Sequence, residues 1–287
     1  MSRDKLIDTH LHLWVMSERE YSWIAPECGP LYDDFKPERL EPGIADSGVT
    51  SSILVQAADT YEDTFYMLDI AAHSSFVVGV VGWVPFNRPS EALAAIEVLK
   101  KSPYIKGFRN LTHDYSNSVY ESDPAWILRA EALQTISTIA EAGLTLDYVA
   151  VNADHIKNIP ILAKRFPDLK IVIDHFAKPD IANKVMEPWA SLMAECASYP
   201  NVYAKLSGLN TASSPEWSFS DWHPYVDHII EVYGADRTMM GGDWPVCILA
   251  GDYVRVWKAQ LDVISKYSET DQEWLCYKTA EKFYNLY

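Results

Sequence analysis

Short runs of Val, Ile, Leu and aromatic residues recur along the chain at a fairly even pitch: 6–14, 51–58, 77–84, 105–110, 143–150, 170–176, 202–208 and 237–244. Each is too short for a core helix and reads as a strand. The stretches between them carry helix grammar. Asp123-Pro124 sets a capping residue before a proline, Leu133, Ile136 and Ile139 follow at helical spacing, and Gly143 closes the segment. Ser90 stands before Leu93, Ile96 and Leu99 in the same way. No two runs are joined by a hairpin turn, so parallel pairing through right-handed crossovers is expected. Eight such strands close an α/β (β/α)8 TIM barrel, and 287 residues fit one domain, 1–287, with an extra C-terminal helix. A doubly wound open sheet is the alternative. Its dinucleotide-binding form is weakened because no Gly-x-Gly-x-x-Gly follows the first strand. Two connections, 15–36 and 209–222, are too long to be simple links and follow the first and seventh strands, over the carboxyl face of a barrel.

Charge narrows the partners. Lys plus Arg is 24 and Asp plus Glu is 40, so the net charge is 24 − 40 = −16. A field of that sign repels phosphate backbones and anionic lipid, which argues against nucleic-acid and membrane partners. Four widely spaced cysteines, Cys28, Cys196, Cys247 and Cys276, form no Cys-x-x-Cys pair and suggest neither a thiolate cage nor a disulfide framework. The first residues lack an apolar signal region, and a cytoplasmic protein is expected.

The chemistry gathers at strand ends. In the first strand, alternation puts Asp8, His10 and His12 on one face and Ile7, Thr9, Leu11 and Leu13 on the other. The apolar set suits the helical layer, so the polar set is expected to face the lumen. The last run ends Gly241-Gly242-Asp243-Trp244-Pro245, with glycines for close backbone approach and an acid where barrel enzymes carry catalytic groups. Strand six ends Asp174-His175, strand four ends Gly107-Phe108-Arg109, and strand seven carries Lys205 and Ser207. Asp147 in strand five is expected to face the lumen, because an ionised Asp under the helices is costly. Each alone could be a structural partner. Structural ion pairs, however, have no reason to gather at one end of every strand.

Ile7-Asp8-Thr9-His10-Leu11-His12-Leu13-Trp14 resembles the opening of the amidohydrolase superfamily, amidohydrolase-related family 2. Gly107-Phe108-Arg109, Val172 to Pro179, Lys205 to Gly208 and Gly242-Asp243-Trp244-Pro245 are similar to its sugar-lactonase branch, which includes L-fuconolactone, L-rhamnonolactone and pyrone-dicarboxylate lactonases. The resemblance implies hydrolysis of a sugar-acid lactone to the open-chain acid. Asp243 would be the base for water, with His10, His12 and His175 around the carbonyl oxygen. Arg109 and Lys205, with Tyr148, Asp147, Ser207 and Gln56 in support, would bind substrate. Aromatic residues in loops (Trp14, Trp23, Tyr32, Trp83, Trp217, Trp222, Trp244) suit the apolar faces of sugars. Metal-dependent relatives carry a Lys or Glu on strand four and a His on strand five. Here Arg109 takes the first place and no His lies in 143–150. A cationic guanidinium argues against a metal pocket. The expectation is therefore no required cofactor, with at most one weakly held divalent ion, zinc or manganese, on His10, His12 and Asp243. The alternatives are a metal-dependent decarboxylase of the same family, disfavoured by the missing strand-five His, and a non-catalytic sugar-acid-binding barrel. The implied partner is a small-molecule lactone, with a homo-oligomer left open.

Overall fold

The computed structural model describes residues 5–112 and 123–286. Its strands are β1 (Ile7–Leu11), β2 (Ser51–Val55), β3 (Val77–Gly82), β4 (Ile105–Phe108), β5 (Thr145–Tyr148), β6 (Ile171–Ile173), β7 (Val202–Leu206) and β8 (Thr238–Met240). Each pairs in parallel with the next. The ring closes between its ends: His12 N donates to the Trp244 carbonyl at 2.7 Å, and Asp243 N donates to the His10 carbonyl at 2.8 Å. A helix packs outside after each strand, from Pro37–Ser47 after β1 to Tyr253–Ile264 after β8. This is the (β/α)8 barrel that the pattern predicts. The strands are shorter than the apolar runs because the final residues of several runs leave the sheet and build its mouth.

Ile53, Val55, Val81, Val172, Tyr203 and Met239 fill the lumen. The C-terminal helix Thr279–Tyr284 adds Phe283 and Tyr284 to the same cluster. Lys170, just ahead of β6, donates to the carbonyls of Lys282 (2.7 Å) and Phe283 (2.9 Å), fixing this helix at the amino end of the barrel. The carboxyl end is covered by the loop after β1. There Trp14 Nε1 donates to the Asp33 carbonyl at 3.0 Å and Trp23 Nε1 to the Ala57 carbonyl at 2.7 Å.

Two local expectations are revised. Strict alternation in β1 fails, because an extra residue between Asp8 and Leu11 shifts the register against β2. His10 and His12 face the lumen, whereas Asp8 accepts from Gly242 N (2.9 Å) and from the hydroxyl of Tyr253 (2.7 Å) on the last outer helix. Asp8 thus clasps β1 to β8, and burial raises its pKa to about 6. The fourth outer helix begins at Ala130 rather than after Pro124, since Asp123 caps a short turn and then pairs with Arg129. Gly241 is required by closure: a Cβ there would lie 2.7 Å from the Cβ of His10. Among the described residues, no helix is long and apolar enough to cross a membrane.

Candidate active site

The bulge in β1 sends both histidines into the mouth. His12 Nδ1 lies 2.7 Å from the Val55 carbonyl, which can only accept. That bond puts the ring proton on Nδ1 and leaves Nε2 as a lone pair facing the site. His12 Nε2 is 3.1 Å from His10 Nε2 and 3.6 Å from Asp243 Oδ1, while His10 Nε2 is 3.9 Å from the same oxygen. His175 stands over them, its ring 4.4 Å from that of His10 and its Nδ1 3.9 Å from Asp243 Oδ2. Ser207 Oγ lies 2.8 Å from His175 Nδ1 and fixes the ring.

Backbone strain positions two of these groups. His175, Phe176, Ala177 and Lys178 all have positive φ (54°, 50°, 58° and 50°), a left-handed turn built without glycine, and Asp243 has φ 53°. Such residues cost about 1–2 kcal/mol each and cluster at functional sites. Gly208, at φ +62°, completes the fit, since a Cβ there would meet His175 Nδ1 at 2.8 Å.

The charges balance in a telling way. Arg109 is held by Gln56, through Oε1 at 3.1 Å and the backbone carbonyl, and its Nη1 donates to Asp174 Oδ2 at 3.1 Å. Lys205 is wholly buried between Asp147 and Asp174, the latter at 3.2 Å. Burial pulls His10 and His12 below the ordinary imidazole range and His175 down to about 4, so all three are neutral near pH 7. Burial pushes Asp243 upward, but when acid protonates His175, His12 and His10 their charge outweighs it, so the carboxyl is fully ionised near pH 7 and titrates below its usual range. The same contest, against Lys205, His10 and Arg109, leaves Asp174 well below it. Two cations are therefore matched by Asp147 and Asp174. Asp243 remains an uncompensated anion among neutral imidazoles.

That donor set fits one divalent ion. Ligand atoms about 2.0–2.1 Å from a tetrahedral zinc sit roughly 3.4 Å apart. The nitrogens and oxygen of His10, His12 and Asp243 lie within 4.8 Å of one another, and near pH 7 the side chains are two neutral imidazoles and a carboxylate.

The structure thus brings His10, His12, His175, Asp243, Arg109 and Ser207 together. It does not bring Tyr148, whose hydroxyl donates to the His155 carbonyl at 3.1 Å within the outer core. Lys205, Asp147 and Gln56 lie beneath or beside the site, their polar ends engaged by protein. Trp14, Trp217 and Trp222 are packing residues; the last two stack at 4.8 Å. Trp23 alone of the loop tryptophans is half-buried over the mouth. Asp174 was not among the expected site residues, yet it joins Arg109, Lys205 and His10. Two cations on neighbouring strands, needing anions between them, were the available signal.

A closed barrel with His-x-His on β1 and an acid after β8 defines a class of barrel enzymes that carry their chemistry at the carboxyl mouth. Residues 7–286 match the amidohydrolase family model, and the chain belongs to that family. It is 38% identical over 247 residues to L-fucono-1,5-lactonase of Burkholderia ambifaria, covering 86% of this chain and 82% of the relative. An L-fucono-1,5-lactonase of Burkholderia multivorans is 27% identical, over 87% and 85% of the two chains. An amidohydrolase crystal structure from Burkholderia multivorans, containing bound zinc, superposes with TM-score 0.89 at 27% identity, over 99% of this chain and 100% of the other.

The expectation that no metal is required is corrected by that finding. The zinc-containing relative shares the fold, and here His10, His12 and Asp243 form a group able to hold an ion. Arg109 does not preclude an ion there, because Asp174 neutralises the guanidinium within the same layer.

Proposed function

We propose that this protein hydrolyses a sugar-acid lactone, such as L-fucono- or L-rhamnonolactone, to the open-chain acid. The single observation that supports the reading most is Asp243, a carboxylate held ionised and uncompensated within reach of three neutral imidazoles at the barrel mouth. Similarity to two L-fucono-1,5-lactonases supports the substrate class.

In this reading His10, His12 and Asp243 hold one divalent ion, which when bound polarises a carbonyl or a water. The remaining work belongs to the chain's own groups. Asp243 orients a water and takes its proton as the water oxygen bonds to the lactone carbonyl carbon. Arg109 Nη1, 3.2 Å from His10 Nε2, brings positive charge to the side where the oxyanion develops. As the bond from that carbon to the ring oxygen breaks, the alkoxide recovers the proton, and the new carboxylic acid ionises. His175, steadied by Ser207, faces the same space and positions the leaving oxygen. A reducing compartment such as the cytoplasm suits four cysteines that form no disulfide.

A pH-indicator screen of aldonolactones with zinc-supplemented protein tests the substrate class. Acceleration over spontaneous opening is expected for six-carbon or deoxy-sugar lactones, and none across the whole panel would sink the reading. Metal-stripped protein should take up one zinc per chain in a titration, and His12→Ala should remove that binding.

The pH profile has a defined sign. His175 is neutral above its pKa of about 4 and a cation below it, while Asp243 stays ionised lower still. Measured at saturating zinc, so that protonation of Asp147 near its pKa of about 6 does not empty the site, kcat/KM corrected for spontaneous opening should be level from about pH 5 to 7 and fall only toward about pH 4. A fall centred near pH 6.5 would show an imidazole with its ordinary pKa in control.

A further inference from the structure

Beneath the mouth lies a second polar layer that no step above employs. Lys205, Asp147 and Tyr284 are all buried, at 0%, 1% and 2% exposure. Asp147 Oδ2 accepts from the Lys205 ammonium and from the Tyr284 hydroxyl, the latter at 2.8 Å. The Tyr284 ring lies under the same ammonium, 5.7 Å from centroid to Nζ. Upward, Lys205 Nζ is 3.3 Å from His10 Nδ1. Asp174 Oδ1 is also 3.3 Å from that nitrogen, and it accepts no well-aligned hydrogen bond.

These two neighbours make opposite demands on one ring. An ammonium only donates and a carboxylate only accepts. When Nδ1 accepts from Lys205, the ring proton sits on Nε2, and His10 spends it on His12 Nε2. When Nδ1–H donates to Asp174, Nε2 is a lone pair available as a ligand. Arg109 Nη1, 3.2 Å from Nε2 and able only to donate, favours the second arrangement, and the balance is then set by how firmly Lys205 is drawn away from Nδ1. We infer that Asp147 and Tyr284 are positioning residues for His10: by anchoring Lys205 from below, they leave Nδ1 to Asp174 and keep Nε2 as a ligand atom. This rests on the reading that His10, His12 and Asp243 hold a divalent ion.

The anchor reaches the site from the chain's last helix. Lys170 clamps the carbonyls of Lys282 and Phe283, which fixes the turn that presents Tyr284. Phe283 packs in the lumen beside it, 4.8 Å from the Tyr203 ring, without touching Asp147 by a polar group, and so offers a packing control.

The test uses the full chain. Zinc affinity is measured by competition with a chromophoric chelator, and the ring nitrogens of His10 are observed by ¹⁵N NMR in metal-free protein. Asp147→Asn removes the anion, Tyr284→Phe removes the hydroxyl, and Phe283→Leu changes packing, including that on the Tyr284 ring 4.7 Å away, while removing no polar group. Asp147→Asn should weaken zinc by up to about tenfold, the lower end of the range for losing a direct outer partner of a ligand histidine, because it acts through Lys205. Tyr284→Phe should weaken it less, in the same direction. In both, the His10 signals should move toward protonated Nε2. Phe283→Leu should lower thermal stability while leaving zinc affinity and the His10 signals unchanged. If Asp147→Asn does not fold, Tyr284→Phe decides the matter. Zinc affinity and His10 signals equal to the parent's in the folded variants overturn the inference alone, as does an equal loss in Phe283→Leu. A parent protein that takes up no zinc overturns the metal reading and this inference together.

Discussion

Asp243→Asn should lower kcat by about 10²–10⁴, the usual range for losing a general base, while the far-ultraviolet spectrum stays that of the parent. The amide keeps the carboxylate's shape but cannot take a proton from water. Its surroundings also explain why the substituted chain should still fold. Asp243 makes its structural contribution through the backbone, with its N–H on the His10 carbonyl at 2.8 Å and its own carbonyl accepting from Cys247 N at 2.8 Å. Neither bond involves the side chain. Zinc affinity should fall as well, since one of three ligands becomes neutral. Measuring kcat at saturating zinc separates the two losses. A variant that keeps most of its turnover there would move the base to another residue, with His175 next in line.

Lys205→Met should destabilise the fold by about 3–5 kcal/mol, the range for breaking a buried ion pair from one side. For a chain of this size that is a drop in Tm on the order of 5–10 °C. Without the ammonium, Asp147 and Asp174 face each other as buried carboxylates. Burial already raises Asp147 to about 6, even against the pull of Lys205. The variant should therefore recover stability as the pH falls, because protonating Asp147 removes the unpaired charge; its Tm should rise between pH 7 and 5. This outcome differs from the one expected of a substrate-binding lysine, which would raise KM and leave Tm alone. Thermal unfolding at the two pH values distinguishes them.

The barrel was legible because its evidence is periodic. Eight apolar runs, helix signals between them and no hairpin turns leave few topologies, and the observed strands fall inside the expected runs. The polar strand ends were legible for the same reason: His10, His12, Arg109, His175 and Asp243 do meet at one mouth. What alternation could not show was the bulge in β1, which turns Asp8 from the lumen into a clasp on Tyr253. The same rule, applied to β5, would have excluded Tyr148, because Asp147 beside it faces the lumen. Asp174 escaped notice since its importance lies in burial and in pairing with residues 65 positions back and 31 ahead. Tyr284 escaped because nothing local marks a terminal tyrosine as reaching a buried aspartate 137 residues away. The metal was misjudged by reading Arg109 as a lone charge when it is one half of a pair.

The central claim is that the mouth around Asp243 opens a sugar-acid lactone. It is tested most directly by adding L-fucono-1,5-lactone to the zinc-loaded protein in weak buffer and following acid release in a pH-stat. Release well above the spontaneous rate, saturating with lactone and lost in Asp243→Asn, is the predicted result. Release no faster than in protein-free buffer, or equally fast in the Asp243→Asn variant, would contradict it.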